Sequence, residues 1–335
     1  MAHTQSANNA SPVLEVKNLR THFQTRRGEL KAVNNVSFSL ARGETLGLVG
    51  ESGSGKSMTC FSILRMIAKP AGKIVGGEVL LDGTDLLKLS EEEIREVRGK
   101  GISMILQDPM TSLNPLISVG KQVAEPLHLH QGLSGSSLWD AVREVLALVR
   151  IPAPERRLKD YPHQMSGGMR QRIVGAISVS CRPRVLIADE PTTALDVTIQ
   201  AQFLKLLKDM QKSTGLGMIL VTHDLGIVAK NCDRVAVMYA GKIVEIGSVR
   251  DIFDRPAHPY TRALLRSLPK LSEKHDRLPS IEGQPPDLLD LPAGCSFQER
   301  CPHAMPICRR QEPEQTEIAK EHLARCFLVD EEAEA

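Results

Sequence analysis

Eight residues, Gly50-Glu51-Ser52-Gly53-Ser54-Gly55-Lys56-Ser57, carry the spacing G-x-x-x-x-G-K-[ST] that cradles phosphate groups. In such a loop backbone N–H groups wrap the phosphates, the lysine meets the β- and γ-oxygens, and the last hydroxyl binds Mg2+. Lys56, Ser57 and the adjoining Met58 then open a helix-like stretch whose N-terminal dipole faces the same anion. Far downstream, Met165-Ser166-Gly167-Gly168-Met169 forms a second glycine turn ahead of another helix-like stretch. Most phosphate-loop proteins have no use for such a turn, so it is a candidate for the second half of a γ-phosphate site.

Carboxylates follow. Val185-Leu186-Ile187-Ala188 is an apolar strand that delivers Asp189 and Glu190 to its C-terminal end, where open α/β sheets bind ligands. Neighbouring side chains on a strand point to opposite faces, so the two acids need not share a role. Asp189 is placed to approach Mg2+, and Glu190 to orient or deprotonate an attacking water. His223 follows the strand Met218–Val221 and could reach a γ-phosphate. Gln107 ends the strand Ile102–Leu106 and could sense both Mg2+ and water, or serve only as a turn residue before Asp108-Pro109.

These residues require an α/β core with a mostly parallel sheet, and the pattern supplies one. Val33–Leu40 alternates apolar and polar, Thr45–Val49 is a short apolar strand, and Lys56–Ala68 reads as a helix. From about residue 108 to 180 helical periodicity dominates, with Val142, Val145, Leu146 and Val149 on one face, and reads as an inserted helical subdomain. After about Pro269 the sequence turns irregular and proline-rich. Its prolines argue against helix or sheet there, and it reads as an appendix separate from the core.

The chain has 335 residues, enough for a sizeable core, a formal net charge of only +2 and 3% aromatic residues. That composition offers neither a basic field nor stacking platforms for nucleic acid, so no nucleic-acid partner is expected. Residues 1–12 are polar and read as a disordered tail, not a leader. No apolar run approaches the ~20 residues of a membrane helix. Seven cysteines without a secretory leader fit a reducing compartment.

With these motifs in hand, the chain resembles the nucleotide-binding subunit of an ABC transporter, over about residues 13 to 266. The resemblance implies a P-loop NTPase core of RecA type with an N-terminal antiparallel β part and an inserted helical subdomain. It makes Gly50–Ser57 the Walker A loop, Val185–Asp189 the Walker B strand and Glu190 the catalytic base. Gln107 matches the Q-loop, Ser166-Gly167-Gly168 the signature, Ala194-Leu195-Asp196 the D-loop and His223 the switch histidine. Mg2+ would be held by Ser57, Gln107 and Asp189. Phe23 falls where the family stacks an aromatic on adenine, although it would equally serve as a core residue of the N-terminal sheet. Met169 departs from the usual glutamine of the signature, and Ser166 and Gly168 still supply the expected contacts. In this family the signature of one subunit completes the site whose loop belongs to the other, so a second ATPase chain is implied.

Gln107-Asp108-Pro109-Met110-Thr111-Ser112-Leu113-Asn114-Pro115, His258-Pro259-Tyr260-Thr261 and Gly294-Cys295-Ser296-Phe297 resemble the oligopeptide and dipeptide importers. Residues 13–265 would then be the nucleotide-binding domain and residues 266–335 the C-terminal extension of that branch. Cys295, Cys301, Cys308 and Cys326 are spaced x5, x6 and x17, which fits neither the paired spacing of zinc sites nor ferredoxin runs. Resemblance to the importers implies a [4Fe-4S] cluster on these four cysteines, with Zn2+ as the alternative. It also implies ATP-driven import of peptides, or else of nickel chelates, opines, glutathione or sugars. The implied partners are a different second ATPase chain, two transmembrane permease subunits and an extracytoplasmic binding protein. The implied place is the cytoplasmic face of the bacterial inner membrane, as a peripheral protein. Two rival classes remain: soluble ABC ATPases of DNA or ribosomes, which carry zinc modules, coiled coils or two sites per chain, and plain P-loop kinases or GTPases, which lack a signature.

Overall fold

A computed structural model describes residues 11–193, 195–268 and 281–329; residues 1–10 of the proposed tail, the D-loop residue Ala194 and part of the proline-rich stretch lie outside them. Two sheets build the body. The first is antiparallel, in the order β2-β1-β4-β5, from β1 (Leu14–Thr25), β2 (Gly28–Leu40), β4 (Gly72–Leu81) and β5 (Thr84–Asp85). The second has the order β11-β12-β10-β9-β3-β8-β7-β6. Its members are β3 (Thr45–Val49), β6 (Ile102–Ile105), β7 (Val185–Asp189), β8 (Gly217–Val221), β9 (Arg234–Tyr239), β10 (Lys242–Ser248), β11 (Thr316–Ala319) and β12 (His322–Ala324).

Strands β6, β7, β8, β3 and β9 run parallel, so their C-terminal ends share one edge. Covered on both faces, β3, β7 and β8 are buried at every residue, which is why they read as continuous apolar runs. Alternation still divides their side chains. Leu46, Leu48, Ile187 and Ile219 join Leu14, Val36, Leu40 and Ile63 beneath the antiparallel sheet. Leu186 and Met218 face the helices Val119–Gln131, Gly135–Leu148 and Gly167–Val179, which bury Val123, Leu127, Val142, Leu146 and Ile173.

The helix after the phosphate loop is shorter than its periodicity suggests. It spans Lys56–Ile63, with Leu64 as its C-cap and Arg65 at a left-handed φ of 54°. Arg65 turns away to donate to the carbonyls of Leu86 and Leu89, a tertiary contact that outweighs the helical pattern through Ala68.

The C-terminal segment also departs from expectation, because part of it extends the main sheet. Strand β12 pairs antiparallel with β10, and β11 with β12. These two strands come after the prolines, so proline never has to donate to the ladder. Glu245 of β10 fixes the join. Fully buried, it accepts from the backbone N–H groups of Ala257 and His258 and lies 2.8 Å from His322 Nε2. Burial alone would raise its carboxyl, but these bonds outweigh it and hold the group below its ordinary value. Phe297 packs edge-on against Tyr239 and Tyr260 at centroid distances of 5.3 and 5.4 Å, adding an aromatic anchor.

Candidate functional site

The shared strand edge gathers the polar residues. Strand β3 runs into Gly50–Ser57, β7 into Glu190, β8 toward His223 and β6 toward Gln107. Backbone geometry explains two glycines of the loop. Gly50 has φ 150° and a Cβ there would stand 2.2 Å from the Met238 carbonyl; Gly55 has φ 103° and a Cβ would meet the Ala32 carbonyl at 2.5 Å. Only glycine fits such close backbone approach. Gly55 caps the following helix without any side-chain bond, which leaves the first-turn N–H groups available to an anion.

Lys56 is buried inside this loop, its Nζ donating to the carbonyls of Gly50 and Glu51, both at 2.8 Å. Burial pushes its ammonium down from the ordinary lysine value, and the carboxylates of Glu190 and Asp189 pull it back up. Asp189 is pushed up by burial and partly restored by a hydrogen bond from Ser57. Its Oδ1 is buried with no hydrogen-bond partner among the described residues. An orphaned carboxylate oxygen beside a hydroxyl is a fitting donor set for a hard divalent cation, so the residues present fit Mg2+.

Glu190 is the hub of the second half. It sits at φ 45°, and its carboxylate accepts from Gln107 Nε2 at 2.9 Å and Thr193 Oγ1 at 3.0 Å, with His223 Nδ1 3.3 Å away. A cleft of about 570 Å³ is lined by Ser52, Gly53, Gly55, Lys56, Ser57 and Met58, by Gln107, Glu190 and His223, and by Phe23, Leu30, Ala32 and Leu288. The cleft thus brings the loop residues, Gln107, Glu190 and His223 together with the apolar side chains of Phe23, Leu30, Ala32 and Leu288. Leu30 and Leu288 carry no motif signal, and Thr193 lies close to Glu190 in the sequence without a role of its own in the motifs.

The second glycine turn does not line this cleft. Ser166 caps the helix Gly167–Val179 by accepting from the Met169 N–H, and Asp196 caps the helix Val197–Thr214 by accepting from the Ile199 N–H. The two caps are neighbours, because a Cβ on Gly168 would strike Ile199 Cγ2 at 2.7 Å. Ser166, Gly167 and Asp196 are all exposed. They form a surface that another molecule can reach.

The four C-terminal cysteines correct an expectation. Their side chains border one cavity of about 20 Å³, room for about one water. Among the described residues, no three His, Cys, Asp or Glu side chains are arranged to hold a metal ion. Burial pushes the Cys295 thiol up to about 11 and Cys326 up to about 12, and raises Cys301. The residues therefore fit neither the [4Fe-4S] cluster nor Zn2+. Cys295 and Cys301 pack with the Phe297 core and Cys326 with Ala257, Ala324 and Val329, as small hydrophobes do.

A phosphate loop after β3 on a parallel sheet, facing carboxylates at the end of β7 with β8 between the two strands, defines a P-loop nucleotide-binding site. Comparisons with known proteins refine the class. The family described as ABC transporter matches residues 33–193, and that described as oligopeptide/dipeptide transporter, C-terminal region, matches residues 244–308. A probable peptide ABC transporter ATP-binding protein of Sinorhizobium fredii is 52% identical over 98% of each chain. The dipeptide transport ATP-binding protein DppD of Bacillus subtilis is 52% identical over 96% of each. The ATP-binding cassette MJ0796, solved as a dimer with ADP and Pi, is 27% identical with a TM-score of 0.64, covering 71% of this chain and 99% of its own. The chain belongs to the ABC transporter ATP-binding proteins, in their oligopeptide/dipeptide branch. Among the described residues no helix is long and apolar enough to cross a membrane.

Proposed function

We propose that this chain is the ATP-hydrolysing subunit of a peptide importer, working peripherally on the cytoplasmic face of a bacterial inner membrane. The observation that carries this reading is 52% identity, over 96% or more of the chain, to peptide-transport ATP-binding proteins, together with the oligopeptide/dipeptide C-terminal region. Lys56 and the N–H groups of the loop hold the nucleotide phosphates, and Phe23 covers the base. Ser57, Asp189 and Gln107 would hold Mg2+, which would supply positive charge against that of the nucleotide phosphates. Glu190 takes the proton of the attacking water while Gln107 and His223 fix its carboxylate. Ser166, Gly167, Gly168 and Met169, with Asp196, face the nucleotide of a second ATPase chain, which we take to be a different gene product. Two transmembrane permease subunits and an extracytoplasmic binding protein complete the machine. ATP draws the two ATPase chains together, and loss of the γ-phosphate contacts lets them part.

The test is purification of the complex from its own cells. The chain should arrive with two multispanning subunits and a second ATPase, and peptide-loaded binding protein should raise its ATP hydrolysis severalfold. Stimulation by a non-peptide solute but not by peptides would overturn the peptide assignment. Stoichiometric nucleic acid in place of membrane subunits would overturn transport itself.

A further inference from the structure

The second residue of the phosphate loop is an acid. Glu51 lies between Gly50 and Ser52, and its own carbonyl accepts from Lys56 Nζ. A carboxylate there has the same sign as the phosphates the loop receives, so uncompensated it would oppose their binding. Compensation comes from far away in sequence. Arg300, on a short 3-10 turn of the C-terminal segment, donates Nη1 to Glu51 Oε2 at 2.7 Å and Nη2 to Glu51 Oε1 at 2.9 Å. This is the bidentate geometry for which guanidinium is suited.

The guanidinium is fixed by its remaining donors. Nη1 also donates to Tyr239 Oη, Nη2 to the Ile281 carbonyl and Nε to the Glu282 carbonyl, so each of its five N–H groups has an acceptor. Its side chain is 4% exposed, and that of Glu51 26%. Glu51 is held from a second side, since its backbone N–H donates to Tyr260 Oη. The same C-terminal segment sends Leu288 into the wall of the nucleotide cleft.

We propose that Arg300 is a positioning residue that neutralises Glu51 and so sets the affinity of the phosphate loop for ATP. The proposal rests on Gly50–Ser57 being the nucleotide loop, as given above. The C-terminal segment then acts on nucleotide through one charge pair, and its presence makes an acidic loop serviceable.

The test is equilibrium titration of the full-length chain with MgATP, in wild type, Glu51→Gln, Arg300→Gln and the double variant. Arg300→Gln should weaken binding about tenfold, and adding Glu51→Gln should restore it to within about threefold of wild type. Glu51→Gln alone keeps the carbonyl and Tyr239 contacts of Arg300 and should bind about threefold more tightly, because the cation beside the loop is left without its carboxylate. Arg300 acting only as a structural staple predicts no rescue in the double variant. Absence of rescue, or a Glu51→Gln chain that binds no more tightly than wild type, overturns the proposal, and the latter result can be read even if Arg300→Gln does not fold. Failure of the wild-type chain to bind MgATP would instead sink the nucleotide-loop reading itself.

Discussion

Glu190→Gln is expected to abolish ATP turnover in the assembled complex while leaving nucleotide binding intact. A positioned general base contributes about 10²–10⁴-fold to a proton transfer, and an amide at the same place cannot accept the proton. The carboxylate stands at the end of β7 with Gln107, Thr193 and His223 arranged around it. Glutamine preserves the shape of that cluster, and the phosphate loop, whose contacts run through Lys56 and the Gly50 and Glu51 carbonyls, is untouched. Phosphate release should therefore fall by at least ~10²-fold with ATP affinity near wild type. Turnover within about tenfold of wild type would assign the base elsewhere.

Ser166→Arg and Lys56→Ala are expected to fail in different sites. Ser166 is an exposed helix cap outside the cleft of its own chain, so the isolated variant should fold, at a cost of about 1 kcal/mol for the cap. It should also bind ATP with normal affinity. In the complex the added side chain would obstruct the partner's nucleotide, and hydrolysis should drop by about tenfold or more. Lys56→Ala removes both the proposed phosphate contact and the tie between the Gly50 and Glu51 carbonyls, so binding should be lost already in the isolated chain. Separate ATP titrations and phosphate-release assays distinguish the two. Loss of ATP binding in isolated Ser166→Arg would contradict a site shared between chains.

What could be read in the sequence follows from how local each signal is. The run Thr45–Val49 becomes a strand with those bounds, because a strand buried on both faces leaves a continuous apolar stretch between polar ends. The phosphate loop is legible because its glycines answer to backbone conformation and close approach, which few other residues satisfy. The helix ending at Ile63 was not, since Arg65 is drawn off by carbonyls of residues 86 and 89. Nor was the pairing of β12 with β10, which joins residues nearly eighty positions apart and depends on the buried Glu245–His322 contact. Leu288 lines the cleft and Arg300 reaches Glu51 of the loop through tertiary contacts, and neither carries a motif of its own. The cysteines show the converse failure: they border one small cavity, yet among the described residues they are not arranged to hold a metal ion.

The most direct measurement is uptake of a radiolabelled peptide into proteoliposomes holding the complete complex, with ATP on the face that carries this chain and binding protein on the other. Uptake should require ATP, stop with Glu190→Gln, and be outcompeted by unlabelled di- or oligopeptides. ATP hydrolysis by the same vesicles without any peptide accumulation, or uptake that persists in the Glu190→Gln complex, would contradict it.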